Sequence, residues 1–275
     1  MDDPHSSEED GAATRARAPI ARSLAAFAAG VAAAVALAGA RDVANREAFG
    51  SDTVAAVGAL VAAAIGAVAL SGALLRSVPV REALALRRPR LGTARLALVV
   101  AGVFGVSTLA RLAVELLGGT GGSGLEQLES EIETAIDGAR APSVAWIAVG
   151  VAIGPGVAEE LLFRGLLLGA LLPRIGAARA ALLSTVAFAA AHIDPLHALA
   201  VVPLGLYLAA VRLATGSTIA AIACHVANNA LALALAAASP EARAAGVAAS
   251  VVALPAACRV LAGLGRARRE RAGPA

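Results

Sequence analysis

Three short constellations in this 275-residue chain could do chemistry. The first is Gly154-Pro155-Gly156-Val157-Ala158-Glu159-Glu160-Leu161-Leu162-Phe163-Arg164-Gly165, two acids and an arginine within an apolar stretch. The second sets Phe188 four residues before His192, and the third sets His225 four residues before Asn229. Residues four apart share one face of a helix. Glu160 and Arg164 can therefore pair, Phe188 lies one turn below His192, and His225 and Asn229 look the same way. Glu159 stands about 100° round the helix from Glu160 and has no such local partner. A desolvated carboxylate without a local cation is suited to take a proton from water. We read Glu159 as a base pointing into the interior, and Glu160 with Arg164 as its brace. The plainer alternatives are an ion pair that only fixes helix packing and histidines that only fill an apolar core.

These residues need elements that carry them through lipid. Hydrophobic residues make up 59% of the chain and charged residues 16%, against about a quarter charged in soluble domains. The mean hydropathy is +0.76. The apolar residues come in long runs without alternation, the mark of membrane helices. Candidate spans are 23–40, 53–75, 96–117, 143–172, 180–193, 197–213, 217–237 and 245–264. The fold expected is an all-α polytopic bundle of about eight transmembrane helices. The fifth and sixth spans are short, and the Asp194-Pro195 step between them is a turn signal, so one broken helix is the other reading. Each charge at the centre of a spanning helix costs about 2.5–3.5 kcal/mol on insertion scales, so Glu159, Glu160 and Arg164 together cost about 7–10 kcal/mol. Crossing a bilayer does not require them.

The arginines orient the bundle. All 23 basic residues are Arg. Arg15, Arg17 and Arg22 precede the first span, and Arg76, Arg81, Arg87, Arg88, Arg90 and Arg95 fill the second loop. Arg174, Arg179, Arg212, Arg266, Arg268, Arg269 and Arg271 then fall on the same side of an eight-span chain, which puts both termini in the cytoplasm by the positive-inside rule. The opposite loop is acidic, with Glu126, Glu129, Glu131, Glu133 and Asp137. Within it Leu125, Leu128, Ile132 and Ile136 share one face, the pattern of a short amphipathic helix on the outer surface. Ala36-Leu37-Ala38 resembles a signal-peptide cleavage site, but the polar region ahead of it and the arginine balance favour a retained anchor. The expected organisation is a disordered cytoplasmic tail at 1–22 and membrane helices with the outer loop helix at 23–142. A catalytic core at 143–238 follows, then a last helix and basic tail at 239–275. Cys224 and Cys258 sit in apolar runs and indicate neither a disulfide framework nor a zinc motif.

Depth is an independent check on the site. Counted from the cytoplasmic span ends at about 1.5 Å per residue, Glu159 lies roughly 20 Å deep, His192 roughly 18 Å, His225 about 12 Å and Asn229 about 18 Å. Four polar groups from three helices can meet at one level.

The three motifs, Glu159-Glu160-Leu-Leu-Phe-Arg164, Phe188-Ala-Ala-Ala-His192 and His225-Val-Ala-Asn-Asn229, resemble those of the CAAX prenyl protease and bacteriocin-processing (CPBP) family. The match covers roughly 143–238; the first half matches only as generic membrane helices. The resemblance implies an eight-helix bundle and an intramembrane endopeptidase whose site opens to the cytoplasm. It implies that Glu159 activates water with help from His192, and that His225 and Asn229 hold the oxyanion. Glu160, Arg164 and Phe188 would support them. A zinc ion held by Glu159, His192 and His225 is the alternative. Metal-free glutamate chemistry is favoured, because Asn is a poor zinc ligand and there is no His-Glu-x-x-His helix.

Other classes fit less well. There is no Gly-x-Ser-x-Gly elbow, and Ser184 has no matched histidine on its face. A transporter with a Glu/His/Arg relay predicts inverted repeats, yet no second Glu-Glu-x-x-x-Arg stands in the first half. A catalytically quiet immunity or partner-binding protein is the third reading. The partners expected are the lipid bilayer of the cell membrane and a peptide or membrane-anchored protein substrate, not nucleic acid. The Ala- and Arg-heavy composition looks bacterial, which argues against a prenylated substrate.

Overall fold

A computed structural model of the chain describes residues 51–74, 76, 78–89, 91–116, 148–192, 195–236 and 238–272. The expected first span at 23–40, the amphipathic helix at 118–142 and Asp194 lie outside the described residues. Every regular element among the described residues is helical. In chain order these are α1 (Ser51–Leu74), the single turn α2 (Val80–Ala83), α3 (Thr93–Leu116), α4 (148–175), α5 (Ala177–Ala190), α6 (Pro195–Thr215), α7 (Thr218–Ala236) and α8 (Pro240–Ala272). The described parts of the other seven expected spans are helical. The fifth and sixth are two helices, α5 and α6, packed on one another rather than one broken helix.

Among the described residues four stretches are long and apolar enough to cross a bilayer: Thr93–Val114, Pro195–Thr215, Thr218–Leu235 and Pro240–Arg268. Large apolar side chains that point away from the bundle, among them Leu74, Leu116, Leu182 and Val252, face where lipid would be. The protein is a polytopic membrane helix bundle. In lipid no hydrophobic force draws helices together, so close packing and interhelical hydrogen bonds must. The tight contact of α3 with α8 follows that rule: a Cβ on Gly105 would come within 2.4 Å of the Ser250 carbonyl oxygen. Tyr207 on α6 ties the same region by donating to the Val99 carbonyl at 2.7 Å.

Helix breaks fall at residues chosen for them. Gly176 (φ 79°) separates α4 from α5 and Gly216 (φ 70°) separates α6 from α7. Both angles are ordinary for glycine and strained for residues with a Cβ. Pro195 and Pro240 open their helices, where a missing N–H costs nothing. Among the described residues three apolar clusters form the interior, the smallest built on Leu168, Ala180 and Ala209 of α4, α5 and α6. Of the two larger, one joins α1, α2, α4 and α5 to the start of α6, and the other joins α3, α7 and α8 to the rest of α6. Helix α6 is common to all three, and the charged residues of α4 lie beside it.

Candidate active site

Helix α4 is not uniform. Its segments Ala148–Ile153 and Leu161–Leu167 are π-helical, and Gly154–Glu160 and Leu168–Ile175 are α-helical. Wide i→i+5 turns are rare and gather at functional sites. Here one begins directly after Glu160 and contains Arg164.

Glu160 and Arg164 are both fully buried, with Glu160 Oε1 2.7 Å from Arg164 Nη1. The arginine does more than pair. Its Nη2 donates to the Gly205 carbonyl of α6 at 3.0 Å, and its Cζ lies 4.3 Å from the centre of the Phe188 ring of α5. A Cβ on Gly205 would sit 2.7 Å from Thr185 Cγ2 and 3.3 Å from Arg164 Nη2, so only glycine lets the guanidinium reach that carbonyl undisturbed. The brace read from the i,i+4 spacing is present and ties α4, α5 and α6 together.

Glu160 has a second duty that helical spacing could not reveal. Its Oε1 also accepts from Nδ1 of His225 on α7, at 3.0 Å. The ring is thereby held with Nε2 turned towards Glu159, whose Oε2 is 3.9 Å away, too long for a direct hydrogen bond. Glu159 keeps 17% of its side chain exposed, while Glu160 has none. The two adjacent acids therefore differ, Glu160 sealed into the brace and Glu159 partly exposed.

A glycine makes this meeting possible. A Cβ on Gly156, one turn before Glu160, would lie 2.8 Å from Val226 Cγ2 and 3.0 Å from the Val226 backbone nitrogen. Val226 adjoins His225, so α4 and α7 touch backbone to backbone beside the Glu160–His225 bond. Gly156→Ala is expected to push α7 outward, to cost about 1–3 kcal/mol through overpacking, and to lower activity by breaking that bond. Thermal unfolding in detergent, set beside activity, checks it.

Phe188 is the hub of the aromatic contacts. Its ring centre lies 4.8 Å from that of His192, 5.8 Å from that of His225 and 5.5 Å from that of Phe163, each pair edge to face. His192 donates from Nδ1 to the Phe188 carbonyl at 2.9 Å, one helical turn back, which leaves Nε2 as its acceptor. His197 packs edge-on against His192 at 4.7 Å between ring centres. It is also within electrostatic reach of Glu159. A histidine five residues beyond another, across a turn, is the one signal of this contact in the sequence.

Asn229 is half-buried, with Asn228 Nδ2 3.4 Å from its Oδ1. Asn228 in turn accepts from the Ser107 hydroxyl of α3 at 2.8 Å, which ties α7 to α3. A zinc ion would need Glu159, His192 and His225 to converge. Among the described residues no three His, Cys, Asp or Glu groups come together as a metal site, and the Nδ1 bonds of His192 and His225 leave Nε2 of each ring as the open nitrogen. As placed, Glu159, His192 and His225 do not converge on one point as a zinc ligand set would.

Residues 141–231 match the family model described as type II CAAX prenyl endopeptidase Rce1-like. No curated protein and no solved structure matches the chain. The matched stretch contains every residue of the site, from Glu159 to Asn229.

Proposed function

We propose that this chain, whose residues 141–231 form a type II CAAX endopeptidase-like segment, is an intramembrane endopeptidase in which Glu159 activates the attacking water. The observation that carries the reading is His225 held between the two acids: Nδ1 at 3.0 Å from Glu160 Oε1 and Nε2 facing Glu159. That arrangement fixes the ring and directs one nitrogen at the reacting atoms. Glu159 takes a proton from water while Nε2 of His192, free because Nδ1 is bonded to Phe188, accepts the other and aligns it. The hydroxide attacks the scissile carbonyl carbon. The oxyanion that forms is met by the side-chain N–H of Asn229 and by Nε2–H of His225 in its doubly protonated form, whose Nδ1–H stays on Glu160. Collapse of the intermediate breaks the C–N bond as Glu159 returns its proton to the leaving amine.

Asn229→Ala removes one donor that matters only once charge develops. It is expected to lower kcat by about 10²–10³-fold with little change in KM, measured on any peptide the wild type cleaves. A loss confined to KM would make Asn229 a substrate contact instead.

The site is proposed to open to the cytoplasm, to a peptide or membrane-anchored protein that enters from water or laterally from the bilayer. The arginine distribution supports that orientation. Reporter fusions at the two ends are expected to read as cytoplasmic; a C-terminal reporter on the opposite face would invert the assignment.

A further inference from the structure

At the membrane end where α6 turns into α7, Arg212 is buried, with 6% of its surface exposed. Its Nε donates to the Thr218 hydroxyl at 3.1 Å, and that hydroxyl donates onward to the Leu84 carbonyl at 2.6 Å. Among the described residues nothing else accepts from its guanidinium, and the charges that act on it are those of Arg268 and Arg87, both positive. Arg268, from the end of α8, donates from Nη1 to the Leu213 carbonyl at 2.6 Å and lies over Gly216, where a Cβ would be 3.2 Å from that nitrogen. Arg87 is joined to the same turn through its own carbonyl, which accepts from the Ser217 hydroxyl. Three chain segments thus bring three guanidinium groups to one turn, with no carboxylate from the described residues between them.

The positive-inside tendency explains arginines at this end of the bundle, and long side chains ordinarily reach outward into water. It does not explain one that is buried beside two others. A buried charge is costly unless paired, and like charges alongside raise that cost. The helix dipole adds to the demand: the nineteen residues of α7 begin at Thr218 and turn their positive end to this point. Two of the first amides are already taken, Thr218 N–H by the Ala85 carbonyl and Ala220 N–H by the Ser217 hydroxyl. The guanidinium groups must therefore supply most of the donors. Their planar forks match phosphate, and basic pockets between membrane helices take acidic headgroups.

We infer that Arg212, Arg87 and Arg268 form a binding site for a phosphate group, that of an acidic phospholipid or a free phosphate, at the α6–α7 turn. The site lies about 10 Å along α7 from His225, counting 1.5 Å per residue, and does not depend on the proposed hydrolysis.

Full-length protein in neutral detergent would be titrated with phosphatidylglycerol or phosphatidylcholine and its bound lipid counted by native mass spectrometry. One phosphatidylglycerol is expected to be held in preference to phosphatidylcholine. Arg87→Gln and Arg268→Gln should each weaken it about fivefold, and Arg87→Gln, whose side chain makes no bond to a described residue, should leave lipid-free thermal stability unchanged. In a parallel arm, inorganic phosphate at millimolar concentration that raises thermal stability and displaces the lipid assigns the site to free phosphate. Phosphate without effect, with phosphatidylglycerol retained, assigns it to the headgroup. Equal retention of the two lipids with no effect of phosphate, or both variants holding phosphatidylglycerol as the wild type does, would overturn the inference.

Discussion

Arg164→Ala is expected to cost about 3–5 kcal/mol of stability, because it leaves a buried carboxylate without its cation. Glu160 has no surface exposed, and its Oε1 is shared by Arg164 and His225. Its Oε2 has no hydrogen-bond partner among the described residues, so the group has no reserve contact to fall back on. The same truncation frees the Gly205 carbonyl and uncovers the Phe188 ring, which loosens α6 and α5 from α4. Unfolding in detergent measures the loss. A double variant, Glu160→Leu with Arg164→Met, should recover much of the stability, since buried ion pairs replaced by apolar groups of similar volume are often tolerated. It should not recover activity, because His225 then has no acceptor for Nδ1. An Arg164→Ala protein as stable as the wild type would contradict the brace.

Glu159→Gln should have the opposite profile. The side chain is partly exposed and its nearest charged contact is His225 at 3.9 Å, so an amide of the same shape should leave folding intact. Removal of the base should lower kcat by about 10²–10⁴-fold. Single-turnover cleavage alongside thermal unfolding separates the two effects. An active Glu159→Gln variant would transfer the base to another group, with His192 next in line.

What the sequence made legible follows from which interactions are local. The Glu160–Arg164 pair is set by spacing along one helix and survives even the π-helical turn that begins between them. The helical class and the seven spans within the described residues followed from length and apolarity alone. The depth argument brought Glu159 and His225 to one region, and they do meet. What it could not supply is how each helix is rotated about its own axis. For that reason the sharing of Glu160 Oε1 with His225, the Arg164 bond to the Gly205 carbonyl and the packing of His197 on His192 were not foreseen. The close approach at Gly156 and Gly205 was visible only as small residues in apolar runs, with nothing to say which would face a neighbour. The π-helical segments have no signature in spacing or composition. The linkage Ser107–Asn228–Asn229 likewise depends on how α3 and α7 are turned towards one another, which spacing does not give.

The central claim is that Glu159 activates water for peptide-bond hydrolysis within the bundle. Its most direct test is cleavage of a peptide library by purified wild-type and Glu159→Gln protein, each with and without a zinc chelator. The account predicts cleavage by the wild type that survives the chelator and disappears with Glu159→Gln. Cleavage lost to the chelator and restored by zinc, or undiminished in Glu159→Gln, would contradict it.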